Sequence, residues 1–218
     1  MPALDHVFVC CSAGGHEAAA LARLGLAEGT SNTHPGQGTA SRRFFFENAY
    51  LELFWVSDRE EAQGPLARAT RLWERWSQRD TGACPFALVL RPLGEGDSGP
   101  PFATWPYHPL YMPPHVAIDV AADTPLTEPA LFHIAFARRP DHLRTQPLAH
   151  RLGLRQITGV TITLSGSEPL SAAAEAVERA HLVAFSRGDD YLMTLAFDHG
   201  AAGGGADLRP DLPLRLEW

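Results

Sequence analysis

Apolar positions along the first 56 residues change period more than once. Leu4 to Cys11 (LDHVFVCC) is a short β-rich run, and Gly14-Gly15 then leads into His16 to Leu26, whose alanines and leucines favour helix. Gly29 to Gly38 is dense in Gly, Ser, Asn, Thr and Pro and reads as an extended or looped connection. Arg42 to Phe46 and Tyr50 to Val56 follow as two strands joined at Glu47-Asn48, so the stretch predicts a β-α-β-β-β order.

The C-terminal third predicts the same order. Ile157 to Leu164 is a strand, Leu170 to Arg179 a helix, and His181 to Arg187, Tyr191 to Phe197 and Pro213 to Trp218 are three further strands, with Gly188-Asp189-Asp190 as a turn. The closing strands share a local pattern, since Leu51-Glu52-Leu53-Phe54-Trp55 lines up with Leu214-Arg215-Leu216-Glu217-Trp218. Between the two, Pro65 to Gln78 has helical spacing, and Pro85 to Arg91, Val116 to Val120 and Ala130 to Phe136 read as strands around a proline-rich 99–114 segment. Glu95 to Pro101 is expected to be an exposed loop and Pro140 to Leu152 a connector. The chain is therefore expected to be one α+β domain of 1–218 in three parts: a first module (1–56), a central segment or degenerate module (57–152) and a C-terminal module (153–218).

Composition narrows the partners. A net charge of −7 argues against nucleic acid, and no segment approaches the roughly 20 apolar residues of a membrane span. The N-terminus carries no basic leader, which points to a soluble cytoplasmic protein with no membrane partner. Cys10, Cys11 and Cys84 are odd in number, and neighbouring cysteines on a strand face opposite ways, so reduced, buried thiols are expected.

Glu52 is the chemical oddity of the chain. A carboxylate among Leu51, Leu53 and Phe54 is costly to bury without a partner. It lies in Tyr50-Leu51-Glu52-Leu53, downstream of Leu4-Asp5-His6-Val7 and of the loop His34-Pro35-Gly36-Gln37-Gly38-Thr39. Together these motifs resemble the glyoxalase-like branch of the vicinal oxygen chelate superfamily, the glyoxalase and extradiol dioxygenase fold. The resemblance implies paired β-α-β-β-β modules forming curved mixed sheets around a cup-shaped cavity, with modules paired within one chain or between the chains of a homodimer.

It also implies a divalent metal (Zn, Ni, Mn or Fe) held by a His from the first strand and a Glu from the last. His6 and Glu52 match that pair, with His133 as a third candidate ligand. The C-terminal repeat departs from the pattern, because Gly159 stands where His6 does and Arg215 where Glu52 does. Arg215 thus offers Glu52 a second kind of partner, a buried ion pair. His34 is a candidate general acid or base alongside Glu52, since imidazole titrates near neutral pH. Asn32 and Gln37 would edge the cavity mouth. Arg42 and Arg43 point opposite ways on a strand, so only one enters the cup, with Phe44 and Phe46 or with Phe45. Two functions stay open. One is a metal-dependent lyase, isomerase or dioxygenase-type enzyme acting on a small oxygen-rich or aromatic metabolite. The other is a metal-free protein that sequesters a small molecule.

Overall fold

Strand β1 (Pro2–Cys10) sends Val7 and Val9 to one side and His6, Phe8 and Cys10 to the other, and the architecture is built on those two faces. It is followed by α1 (Ala18–Leu24), β2 (Asn32–His34), β3 (Thr39–Phe45) and β4 (Tyr50–Val56). In the computed structural model, which describes residues 2–94, 96, 99–143 and 145–218, β1 runs parallel to β4, and β3 and β2 continue outward as antiparallel neighbours.

The central segment repeats this pairing. After α2 (Arg59–Gln63) and α3 (Leu72–Ser77) come β5 (Phe86–Pro92), β6 (Thr104–Tyr107), β7 (Ile118–Ala121) and β8 (Ala130–His133). β5 runs parallel to β8, with β7 and β6 antiparallel beyond it, and β5 joins β1 antiparallel. The result is an eight-stranded mixed sheet in the order β2-β3-β4-β1-β5-β8-β7-β6.

Chain order misleads in the last third. After α4 (Pro140–Leu143), β9 (Ile157–Ser165), α5 (Ala172–Arg179), β10 (Ala184–Gly188), β11 (Leu192–Phe197), β12 (Gly205–Asp207) and β13 (Leu214–Glu217) form a second sheet in the order β10-β9-β11-β13-β12. The parallel neighbour of β9 is β10, the strand directly after the helix, whereas the parallel neighbour of β1 is the last strand of its module. Element order is shared and pairing is not, so the alignment of Arg215 with Glu52 has no counterpart in space.

Strand alternation gives each face of the large sheet its own lining. Val7, Val9, Phe44, Leu51, Leu53, Leu88 and Leu90 pack with Ile162, Leu195, Phe197 and Leu216 of the second sheet in one continuous apolar core. Phe8, Phe54, Val89, Ile118 and Phe132 line the other face with Leu72 of α3. Polar ties add register between the sheets. The Asn48 amide donates to the Ile157 carbonyl at 2.7 Å and accepts from its N–H at 3.0 Å, and Glu128 receives the Ser171 N–H and hydroxyl.

The helix expected over Pro65 to Gln78 is broken into a 3-10 turn (Arg68–Thr70) and α3 by Arg71 at φ 56. Thr70 explains the break, since its hydroxyl donates to the Ala67 carbonyl at 2.6 Å and competes with the helical ladder. The cysteines are free and buried, with Cys10 on the cup face and Cys11 in the core. Part of the loop expected over Glu95 to Pro101 lies outside the described residues. Among the described residues, no helix is long and apolar enough to cross a membrane.

Phe197 is fully buried and its ring lies 4.7 Å from that of Phe46, across the two sheets. Phe197→Ala is expected to cost about 3–5 kcal/mol in urea unfolding, within a single transition. Two separate transitions would show that the sheets do not share one core.

Candidate functional site

The concave face of the large sheet holds a half-open cavity of about 130 Å³. Its polar wall comes from the first half of the sheet, where His6, Asn32, His34, Gln37, Tyr50 and Glu52 face inward. Its opposite wall, from β5, β7, β8 and the residue after β8, presents Val89, Ile118, Phe132 and Ile134. Tyr107, Tyr111 and Met112, at the end of β6 and in the loop after it, close the space between.

His6 sits between two carboxylates. Its Nδ1 is 2.7 Å from Asp5 Oδ2 and its Nε2 is 3.4 Å from Glu52 Oε2, with all three residues buried. A β-bulge makes this possible: the pairing of β1 with β5 shifts register between Leu4 and His6, leaving Asp5 as the extra residue. Glu52 faces the same side because it stands opposite Phe8 across the parallel β1–β4 pair. Tyr50, opposite His6, stacks on the imidazole with centroids 4.2 Å apart. Burial opposes a charge on His6, but the bonds to Asp5 and Glu52 outweigh it and raise the pKa to about 9. Burial likewise pushes Glu52 up, and the bond to His6 outweighs it, bringing the net value down to about 2. At neutral pH the pair is an imidazolium facing a carboxylate.

His34 is held differently. On β2 it faces Thr39 of β3, and its Nδ1 lies 2.9 Å from Thr39 Oγ1 while its Nε2 lies 2.9 Å from Asn32 Nδ2. The Asn32 Oδ1 accepts from the Thr33 N–H, which turns the amide nitrogen toward His34. His34 Nε2 is thereby the acceptor and Nδ1–H the donor, an assignment that follows from this network. Burial lowers its pKa, so the ring is neutral. The following loop is anchored from outside, because Glu61 accepts from the N–H groups of Gly36 (2.7 Å) and Gly38 (3.1 Å). Gly38 has φ +70, and a Cβ there would lie 2.2 Å from the Asp58 carbonyl oxygen, so only glycine fits. This fixes Gln37 inside, donating to Thr39 at 2.7 Å and accepting from the Tyr111 hydroxyl at 3.3 Å.

Other candidates lie elsewhere. Arg42 points away from the cup into a two-point bond with Glu28, and Phe44 is in the inter-sheet core. Arg43 is the arginine on the cup side, at its rim, with its guanidinium 5.1 Å from the Phe45 ring centroid. His133 alternates with the inward Phe132 and therefore faces the opposite side, where its Nδ1 meets Asp119 at 3.0 Å. Arg215 belongs to the second sheet and bonds Asp207 at 3.1 Å, so it is not the partner of Glu52.

Several site residues escaped sequence reasoning, Tyr50, Asp5, Tyr107 and Tyr111 among them. Tyr50 was within reach, since it precedes Glu52 by two positions and must share its face. Asp5 was hidden by the bulge, and Tyr107 and Tyr111 by an aperiodic proline-rich segment. Burial raises the pKa of both phenols, that of Tyr107 to about 12, and they stay protonated. Among the described residues, no group of three or more His, Cys, Asp and Glu side chains is placed to hold a metal ion.

Comparison with known proteins bears on the family and the fold. Residues 4–95 match the model of the glyoxalase-like domain, a stretch that runs from β1 through β5 and includes His6, His34 and Glu52. The resemblance to the glyoxalase-like branch of the vicinal oxygen chelate superfamily thus holds over that stretch. No curated protein matches the chain in sequence. Among solved structures, a hypothetical protein from Staphylococcus aureus is similar with a TM-score of 0.53 at 11% identity, over 100% of this chain and 99% of the other. At that identity the likeness is one of fold.

The buried pair makes stability depend on pH in a defined direction. His6 has its pKa raised from about 6.5, so its contribution is complete below that value and lost as pH rises through about 9. Glu52 has its pKa lowered, so its contribution is present above pH 4.5 and lost as pH falls through about 2. Between pH 6.5 and 9 the native protein should lose on the order of 1 to 3 kcal/mol relative to the His6→Asn variant, read from urea midpoints at several pH values. Parallel pH curves for the two proteins would remove the charged pair from the description.

Proposed function

We propose that the cup binds a small, largely apolar molecule without a metal ion, which is the second of the two functions left open by the sequence. The observation that carries this is the contact of His6 with Glu52 in a cavity whose opposite wall is hydrocarbon. Of the expected ligands, His6 and Glu52 share the cavity, with His6 Nδ1 bonded to Asp5 and its Nε2 3.4 Å from Glu52. His133, the expected third ligand, faces the other side of the sheet, which leaves two donors where a catalytic metal usually takes three from the protein. The residues present do not fit a catalytic metal.

The size of this half-open cavity indicates what its interior can hold. An apolar cavity of about 150 Å³ takes one benzene, so about 130 Å³ suits a single six-membered ring or an aliphatic of similar bulk. Apolar walls of Phe8, Phe54, Val89 and Phe132 supply affinity, and a few inward polar groups supply orientation. The three buried, free thiols fit a reducing compartment.

Thermal unfolding tests this reading. Zn, Ni, Mn and Fe(II) at excess are expected to leave Tm unchanged. Toluene or phenol at ten times its Kd is expected to add about 1.4 kcal/mol, or roughly 3–5 °C. A metal-dependent rise that disappears in both His6→Ala and Glu52→Ala would reverse the conclusion in favour of the metal-dependent enzyme.

A further inference from the structure

Among the side chains that line the cavity, one polar atom stands apart. Tyr107 is 4% exposed and lines the cavity, and its hydroxyl is buried with no hydrogen-bond partner in the protein. The neighbouring polar side chains of the wall are already bonded: His6 to Asp5, His34 to Asn32 and Thr39, Gln37 to Thr39 and Tyr111, and Thr70 to the Ala67 carbonyl. A buried hydroxyl left without a partner is destabilising, and phenylalanine would fill the same space without that cost. The hydroxyl is accounted for by a partner that arrives with the ligand.

Position and charge define that ligand further. Tyr107 lies on β6, at the edge of the sheet farthest from β2, and is packed edge-on to Trp105. It therefore offers a free hydrogen-bonding point on a half of the cup whose other hydroxyl, that of Tyr111, is bonded to Gln37. The charges that face the cavity, on His6 and Glu52, neutralise one another. An ionised ligand inside the cavity would shed its hydration and find no unpaired counter-charge among the lining residues, since Arg43 stands outside them at the rim. Aromatic side chains of Phe8, Phe54 and Phe132 surround the apolar region and favour a flat ring.

We infer that the Tyr107 hydroxyl hydrogen-bonds the oxygen of an uncharged, single-ring ligand such as a phenol or aryl alcohol, and that Tyr107 sets the specificity of the cup. This rests on the reading of the cup as a ligand site. The ring lies against Phe8, Phe54 and Phe132, and its oxygen points to β6. A site built around such a bond discriminates strongly against an analogue that lacks the oxygen.

Calorimetric titration of the full chain at pH 7 with phenol and toluene, in native protein and in Tyr107→Phe, tests the inference. The phenol-to-toluene ratio of affinities is expected to fall at least fivefold in the variant, with toluene affinity kept. A smaller fall overturns the role of Tyr107 while leaving the cup as a ligand site. Failure of both compounds to bind native protein overturns the ligand site itself and this inference with it. Benzyl alcohol is expected to bind at least tenfold more tightly than benzoate, and a lesser preference overturns the uncharged class. Without ligand, Tyr107→Phe should unfold at or above the native temperature, because it removes an unpaired buried group. A lower temperature would mean that the hydroxyl has a structural partner, which also overturns the inference.

Discussion

A charged imidazole buried between two carboxylates is the constraint around which the sheet is arranged. His6 reaches Asp5 through a bulge in β1 and reaches Glu52 because β1 and β4 pair in one particular register. A one-residue slip of β4 would exchange its faces, sending Glu52 into the apolar core beside Phe44 and Leu88 and bringing Leu51 or Leu53 into the cup. The cost of an unpaired buried carboxylate makes that slip prohibitive. A buried ion pair need not add net stability over a hydrocarbon pair, but losing one member leaves a charge stranded. The cluster therefore acts chiefly as a register pin, and Tyr50 stacked on the imidazole closes the remaining side.

Much of this was legible in the residues, and what was not has physical reasons. The family resemblance carried by LDHV, HPGQGT and YLEL, together with strand alternation around the first and the last of them, located β1, the loop after β2 and β4. The same alternation showed that only one of Arg42 and Arg43 enters the cup. Choosing between them needed Glu28, which draws Arg42 to the other face, and the core, which takes Phe44. Asp5 was invisible because strand periodicity places neighbouring residues on opposite faces, and only a bulge brings its side chain to His6. His133 was misplaced for want of a reference, since alternation along Ala130 to Ile134 assigns faces only once one residue is known to point inward. The C-terminal third shows the broader limit. A strand, a helix and three strands can be read in order, but whether the first strand pairs with the second or the last depends on tertiary packing.

The packing of the two faces of the large sheet is linked. The second sheet covers the convex side with Ile162, Leu195, Phe197 and Leu216, which leaves the concave side free to be incompletely filled. An empty space in a protein interior forfeits packing on every atom that lines it. The cup is tolerable because the core behind it is dense and because Glu61, clamped on Gly36 and Gly38, fixes its rim from outside.

The two halves of the large sheet share a pairing scheme and differ in chemistry, and the difference explains the pair at the centre. Inward positions of the second half are Val89, Ile118, Phe132 and Ile134, which have neither lone pairs nor charge. Across from such a wall, Glu52 has no cation to face, and its negative charge must be met from its own half. His6 lies at 3.4 Å and carries the matching charge. The hydrocarbon wall also keeps the local dielectric low, which strengthens their attraction but opposes the charge itself, and the bonds to Asp5 and Glu52 hold the proton on the ring. An apolar second half and a mutually bonded His6 and Glu52 are thus one arrangement, since either without the other would leave a buried charge uncompensated.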